Sequence, residues 1–312
     1  MKSDKLLNGH LSALLTIIIW GTTFISTKIL LNIFSPVEIL FLRFSIGFIT
    51  LLVVYPHKLK TKEKKEEVYF ISAGLCGVTL YFLFENIALI YTQASNVGVI
   101  ISIAPFFTAI LVHFILKSEE LTKQFIIGFI AAIIGIILIS FNGSIILKMD
   151  PTGDILAILA AIVWAFYSVL TKKISSFGYN VIQTTRRIFF YGLLFMIPVL
   201  FVSKIDIHLQ EFYNLSVLFN LGYLGFGASA LCFVTWNFSV KVLGAVKTSV
   251  YIYLVPVITV VTSIIILNEE ITVVSAFGIA LILTGLIISE RKFHLKKKDG
   301  YDGNEICNDD WC

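Results

Sequence analysis

The chain has 312 residues, of which 57% are hydrophobic and 14% charged, with a mean hydropathy of +0.91 and a formal net charge of +4. Soluble domains carry about a quarter charged residues, so a water-soluble globular fold is excluded. The apolar residues fall in unbroken runs of roughly 20, which excludes a β-barrel with its alternating ten-residue strands and leaves an all-α membrane protein.

Ten membrane spans are predicted, at about 11–31, 36–55, 69–91, 94–116, 124–141, 153–173, 184–203, 216–239, 247–267 and 273–290. The first is a retained helix and not a cleaved signal. Its apolar stretch is too long, no small-x-small site follows it, and Lys28 stands at its far end. Residues 56–68 are rich in Lys and Glu and read as a solvated connector. Residues 142–152 contain Asn-Gly and Asp-Pro, both turn formers. Residues 294–312 are polar and read as a disordered tail.

The order of spans repeats. Trp20, Lys28 and Arg43 recur as Trp164, Lys172 and Arg187, all at an offset of 144. Asn86 and Pro105 are 19 residues apart, as are Asn237 and Pro256. Glu119, Glu120 and Thr122 match Glu269, Glu270 and Thr272, and Gly128 and Gly135 match Gly278 and Gly285. Thr122 and Thr272 are expected to cap the fifth and tenth helices, and the glycines to allow close helix packing. Two five-helix repeats follow, residues 1–149 and 150–293. Five is odd, so the second repeat enters the bilayer from the opposite face. Inverted repeats of this kind place a binding site near the midplane. All but four of the 24 Lys and Arg (Lys28, Arg43, Lys148 and Lys204) fall on one side when the N-terminus is cytoplasmic. The positive-inside rule then puts both termini in the cytoplasm of a cell whose plasma membrane the protein spans. Juxtamembrane lysines facing anionic lipid account for the basic clusters, and no nucleic-acid partner is needed.

Several segments fit one pattern in order and spacing. They are Trp20, Gly21, Thr22, Thr23 and Phe24 through Lys28; Leu42, Arg43 and Phe44; 88–94; 104–109; and the Glu-Leu-Thr before Gly128. In these the chain resembles the EamA family of the drug/metabolite transporter superfamily over nearly its whole length. The second repeat departs in places: Ala165 stands for Gly21 and Trp236 for Glu85. The resemblance implies a ten-helix carrier of two inverted halves around a central substrate cavity, moving amino acids, other small metabolites or drugs.

The candidate site residues are Trp20, Arg43, Glu85, Asn86, Pro105, Trp164, Tyr167, Trp236, Asn237, Tyr251 and Pro256. Pro105 and Pro256 interrupt corresponding spans, which is the best sequence pointer to a carrier site; a packing kink is the alternative. Arg43 and Glu85 are costly inside a span and share a depth. They are read either as a structural ion pair or as groups that hold a charged substrate or a coupling proton. Asn86 and Asn237 are a matched pair, suited to bridging helices or orienting a ligand. Trp20 and Trp164 lie mid-span, away from the interfacial belt. Tyr251 and Tyr253 are two apart and cannot share a helix face. Arg186 is expected to snorkel to headgroups, Arg187 to anchor the topology, and Lys28 to snorkel.

No P-loop and no H-E-x-x-H helix occurs, and no cofactor or metal is called for. The leading expectation is a secondary carrier of a small metabolite, an amino acid or related compound, working by alternating access with or without a coupling proton or ion. The alternatives are a multidrug exporter and, further off, a membrane sensor or embedded enzyme. The first span has no acid, which counts against cation/proton drug exchange of the small multidrug type.

Overall fold

The computed structural model describes residues 2–91, 94–116, 122–141, 151–203, 209–267 and 273–290. These residues are helical apart from short connections and contain no strand. In chain order, α1 is Lys2–Leu30, α2 Pro36–Val54 and α3 Lys64–Tyr91. Next, α4 is Ala94–Ile101 resumed as Ala104–Leu116, and α5 is Lys123–Phe141. In the second half, α6 is Pro151–Ser175, α7 Val181–Val202 and α8 Leu215–Leu243. Then α9 is Ala245–Val250, a 3-10 turn at Tyr251–Tyr253, and Leu254–Leu267, and α10 is Val273–Glu290.

Six helices (α1, α2, α3, α6, α7 and α8) are long and apolar enough to cross a membrane by length and composition, and shorter apolar stretches occur in α4, α5, α9 and α10. Leu14, Ile18, Ile49, Ile130, Phe166 and Leu194 point outward, as a lipid-facing surface requires. Two boundaries differ from the sequence reading by more than about one helical turn: α1 begins at Lys2, and α3 begins at Lys64. The far part of the 56–68 segment therefore belongs to a helix.

Local chemistry sets the helix starts. Ser35 and Glu38 form a reciprocal capping box around Pro36 at the head of α2. Asn180 caps α7 through the Ile182 N–H, and Asn214 caps α8 through the Ser216 N–H. Thr122 caps α5, accepting from the Phe125 N–H at 3.1 Å, whereas Thr272, Glu119, Glu120, Glu269 and Glu270 lie outside the described residues. So do most of the 142–152 linker and the whole 294–312 tail. Gly244, at φ 96°, ends α8 in a conformation that disfavours side chains.

The packing maps onto itself when each helix is exchanged for the one five places away. α1 packs on α8 as α6 packs on α3. α2 packs on α8 as α7 packs on α3, and α1 on α9 as α6 on α4. α5 meets α10, where a Cβ at Gly285 would stand 2.5 Å from the Gly128 carbonyl oxygen and one at Gly135 equally close to that of Gly278. Backbones that approach this closely leave room for glycine alone. α3 and α8 also share a wide π-helical stretch before their polar residues, at Leu75–Leu80 and Tyr223–Leu231. Such stretches recur at functional sites because they re-aim the side chains that follow.

Candidate functional site

A cavity of about 30 Å³ opens between the two halves. α1 contributes Ile17, Trp20 and Phe24, spaced three and four apart on one face, with Thr23 beside them. α3 contributes Tyr81, Phe82 and Glu85, again within one turn. Trp164 enters from α6, Ile101 from α4, and Ile252 and Val255 from α9. By this measure a water needs roughly 10–15 Å³, so the space suits about two water-sized groups.

The aromatic wall is held from both halves. Trp20 donates its indole N–H to the Ala228 carbonyl at 2.9 Å. Its ring lies 5.2 Å from that of Trp164, its repeat counterpart, and 5.2 Å from that of Trp236. Trp164 in turn meets Tyr81 at 4.7 Å and Tyr167 at 4.9 Å, within the range where ring pairs attract beyond their area burial. The indole Nε1 atoms of Trp164 and Trp236 are buried without a hydrogen-bond partner. Unpartnered buried donors are rare and commonly mark functional positions.

Glu85 is 6% exposed, and its Oε2 is buried with no partner. Arg43 is also buried, but it does not line the cavity. Its Nε donates to Ser229 Oγ at 3.1 Å, its guanidinium lies 4.4 Å over the Phe82 ring, and Nη2 is left without a partner. Among the described residues no ion pair joins Arg43 to Glu85. The cation is instead stacked on an aromatic face, a favourable contact when desolvated.

Pro105 and Pro256 are absent from the cavity wall, yet they shape it. Each lacks the N–H that would bond the carbonyl four residues earlier. Those earlier residues are Ile101 and Ile252, and both line the cavity. α4 stops at Ile101 and resumes at Ala104, and the corresponding place in α9 is the 3-10 turn Tyr251–Tyr253. The prolines therefore mark helix breaks, where the sequence suggested kinks in continuous spans.

Other candidates lie apart from the cavity. Asn86 donates to the Pro36 carbonyl at 3.2 Å, tying α3 to α2. Asn237 accepts from the Tyr167 phenol at 2.9 Å and donates to Thr185 at 3.0 Å, joining α8 to α6 and α7. Tyr251 bonds the His10 ring at 2.6 Å, and it is Ile252, between the two tyrosines, that faces the cavity. Lys28 donates to the Leu89 carbonyl at 2.9 Å, so it bridges α1 and α3 where snorkelling was expected.

The lysine-rich end is latched across the halves. Arg187 pairs with Glu67 at 2.7 Å, and Tyr191 donates to the same carboxylate. Tyr179 donates to Glu66 at 2.6 Å and accepts from the Lys62 N–H at 2.7 Å. Desolvation, reinforced by the Glu66 carboxylate, holds the Tyr179 phenol above its ordinary range, so it stays a donor at neutral pH. Arg186 is buried and donates to the Tyr55 and His57 carbonyls, which corrects its reading as a snorkelling residue. Its fork binds carbonyls just beyond the end of α2 and holds the connector against α7, so that segment is held and not simply solvated. A second cavity of about 10 Å³ lies beside this latch, among Thr171, Ser175, Tyr179, Thr184, Asn237 and Lys241.

Sequence reasoning thus found Trp20, Glu85 and Trp164 in the wall, with Tyr167 and Trp236 directly behind. It left Phe24 and Tyr81 outside the candidate set and missed Phe82, Ile101 and Ile252. A signal existed for each, four residues after Trp20, four and three before Glu85, and four before each proline.

The EamA-like transporter family matches this sequence twice, over residues 7–141 and 151–290. An uncharacterized transporter of Archaeoglobus fulgidus is 28% identical, over 91% of this chain and 98% of its own. The uncharacterized transporter YyaM of Bacillus subtilis is also 28% identical, over 94% and 97%. A protein of Streptantibioticus cattleyicolor named probable terminal-alkyne amino-acid exporter is 23% identical, over 92% and 95%. A solved crystal structure with 18% identity superposes with a TM-score of 0.71, covering 93% of this chain and 97% of that one. It shares the fold.

Proposed function

The chain belongs to the EamA-like transporter family and is an integral membrane protein, and from that premise we propose that it carries a small metabolite, an amino acid or related compound, across the cytoplasmic membrane by alternating access. The ten helices form two inverted five-helix repeats, 1–149 and 150–293, and both termini are cytoplasmic. The observation that carries this reading is the cavity whose wall comes from α1, α3 and α4 of one repeat and α6 and α9 of the other. Rocking one half against the other changes the access to a site built in that way. The wall's helix breaks at Ile101 and Ile252 follow the rule that irregular backbone at membrane depth borders a cavity or protein. The cavity is too small for a whole amino acid, so substrate enters a more open state than this one. The amino-acid class is favoured by the exporter of Streptantibioticus cattleyicolor among its relatives.

The reading is tested with single cysteines at Ile101 and Ile252 in a variant lacking all four native cysteines, Cys76, Cys232, Cys307 and Cys312, reconstituted in vesicles. Membrane-impermeant thiol reagents applied from either side should react with both, and counterflow of a transported amino acid should change the rates. Complete protection from both sides under all conditions would exclude a cavity with alternating access.

A further inference from the structure

We propose that the central cavity is an ammonium site, in which the amino group of the cargo sits against Glu85 and the ring faces of Trp20, Trp164 and Tyr81. This rests on the cavity being the substrate site of the carrier. The chemistry of the wall selects for a cation with hydrogen-bond donors. Glu85 carries the one carboxyl group among the lining residues, and no Lys, Arg or His lines the cavity. Its carboxylate is more than nine-tenths buried, with Oε2 lacking any partner. An ionised carboxylate accepts and cannot donate.

Apart from the unpartnered N–H of Trp164, the other polar hydrogens of the wall are already given away: Trp20 donates to the Ala228 carbonyl and Tyr81 to Glu85. Thr23 gives its hydroxyl hydrogen to the Trp20 carbonyl at 2.7 Å, which leaves only acceptor lone pairs. Ile101 and Ile252, which line the cavity, lose their α-helical donors to Pro105 and Pro256, although the Ile252 carbonyl accepts instead from the Leu254 N–H. The remaining surface is largely aromatic, and the faces of Trp and Tyr attract cations. The Arg43 charge acts on Glu85 through space but forms no ion pair with it, since the guanidinium lies over the ring of Phe82 and bonds Ser229. Size agrees: 30 Å³ holds an ammonium head and one further small group, and not a whole aromatic or branched body. The head is therefore read here and the remainder of the cargo is accommodated as the halves part.

The test is calorimetric titration of the purified full chain with three probes of one shape. They are 2-phenylethylamine, its N-acetyl derivative and 3-phenylpropanoate. The amine should bind at least about tenfold tighter than either other probe, the discrimination that one charge-assisted hydrogen bond supplies. Glu85→Gln should abolish that preference and Glu85→Asp should retain it. As a check that needs no variant, the amine and not its N-acetyl form should slow modification of Glu85 by a hydrophobic carbodiimide, followed by peptide mass spectrometry. Equal binding of amine and amide, a preference for the carboxylate, no binding of any probe, or an amine preference that survives Glu85→Gln would each overturn the proposal. The cysteine measurements above decide the carrier reading separately, so a cavity that opens to reagents but shows no amine preference rejects the ammonium site alone.

Discussion

Asn237 engages both Tyr167 and Thr185, whereas its repeat counterpart Asn86 engages only the Pro36 carbonyl and leaves its own oxygen without a partner. Tyr167→Phe removes the donor to a buried amide oxygen. It should lower stability by about 1 kcal/mol, the scale of interhelical hydrogen bonds in membrane proteins, read as a fall in the thermal unfolding midpoint. Asn86→Ala should cost less, because its single bond is longer, at 3.2 Å, and the change also removes a buried amide oxygen that has no partner. At this scale the sequence was informative about polar and aromatic outliers. Glu85, Trp20 and Trp164 stand out in an apolar run, and all three line the cavity. Ile101 and Ile252 do not stand out, since an isoleucine among isoleucines carries no mark of what it faces. Arg186 was misread for a different reason. The positive-inside rule concerns the side of the membrane and is blind to which carbonyls a guanidinium finds.

Helix ends and helix breaks were legible to different degrees. Thr122 was expected to cap α5 and does so, whereas the caps at Ser35 and Asn214 went unread although both are capping residue types. The prolines were visible, but their effect is displaced by four residues toward the N-terminus because the lost bond is i to i−4. Restoring the N–H with Pro105→Ala or Pro256→Ala should extend the helix through Ile101 or Ile252. Transport in vesicles should then fall several-fold, while the unfolding midpoint stays level or rises; an unchanged rate would detach the breaks from function. The α5–α10 contact makes the opposite kind of prediction. Gly285→Val places side-chain atoms against the Gly128 backbone. It should destabilise by about 1–3 kcal/mol as an overpacked contact does, measured by thermal unfolding in detergent. The π-helical stretches of α3 and α8 left no trace in the apolar pattern, whose period is nearly the same for a single widened turn.

Across the whole molecule, the repeat in the sequence foretold the repeat in the packing, since a duplicated order of spans tends to reproduce its contacts. It did not foretell the latch at the lysine-rich end, because Glu67 and Arg187 have no matching pair at the other end. Arg43 replaces Arg187 there, but Leu218 takes the place of Glu67. The Arg187–Glu67 pair is 35% and 20% exposed, so it contributes no more than about 1 kcal/mol. That is small for stability and large for a balance between two open states, where it corresponds to about a fivefold shift. Glu67→Gln should therefore speed thiol labelling of Ser175→Cys from that end by about two- to fivefold with little change in unfolding midpoint, and the exchange of Glu67 and Arg187 should restore the original rate. One further consequence follows from the aromatic core. The chain has four tryptophans, and Trp20, Trp164 and Trp236 sit with ring centroids 5.2–5.8 Å apart at the seam between halves. Ultraviolet emission from this protein is therefore dominated by the seam itself, with the rings close enough to share excitation. The molecule carries an intrinsic optical gauge of its own opening, and Trp311→Phe would remove the fourth tryptophan from the signal.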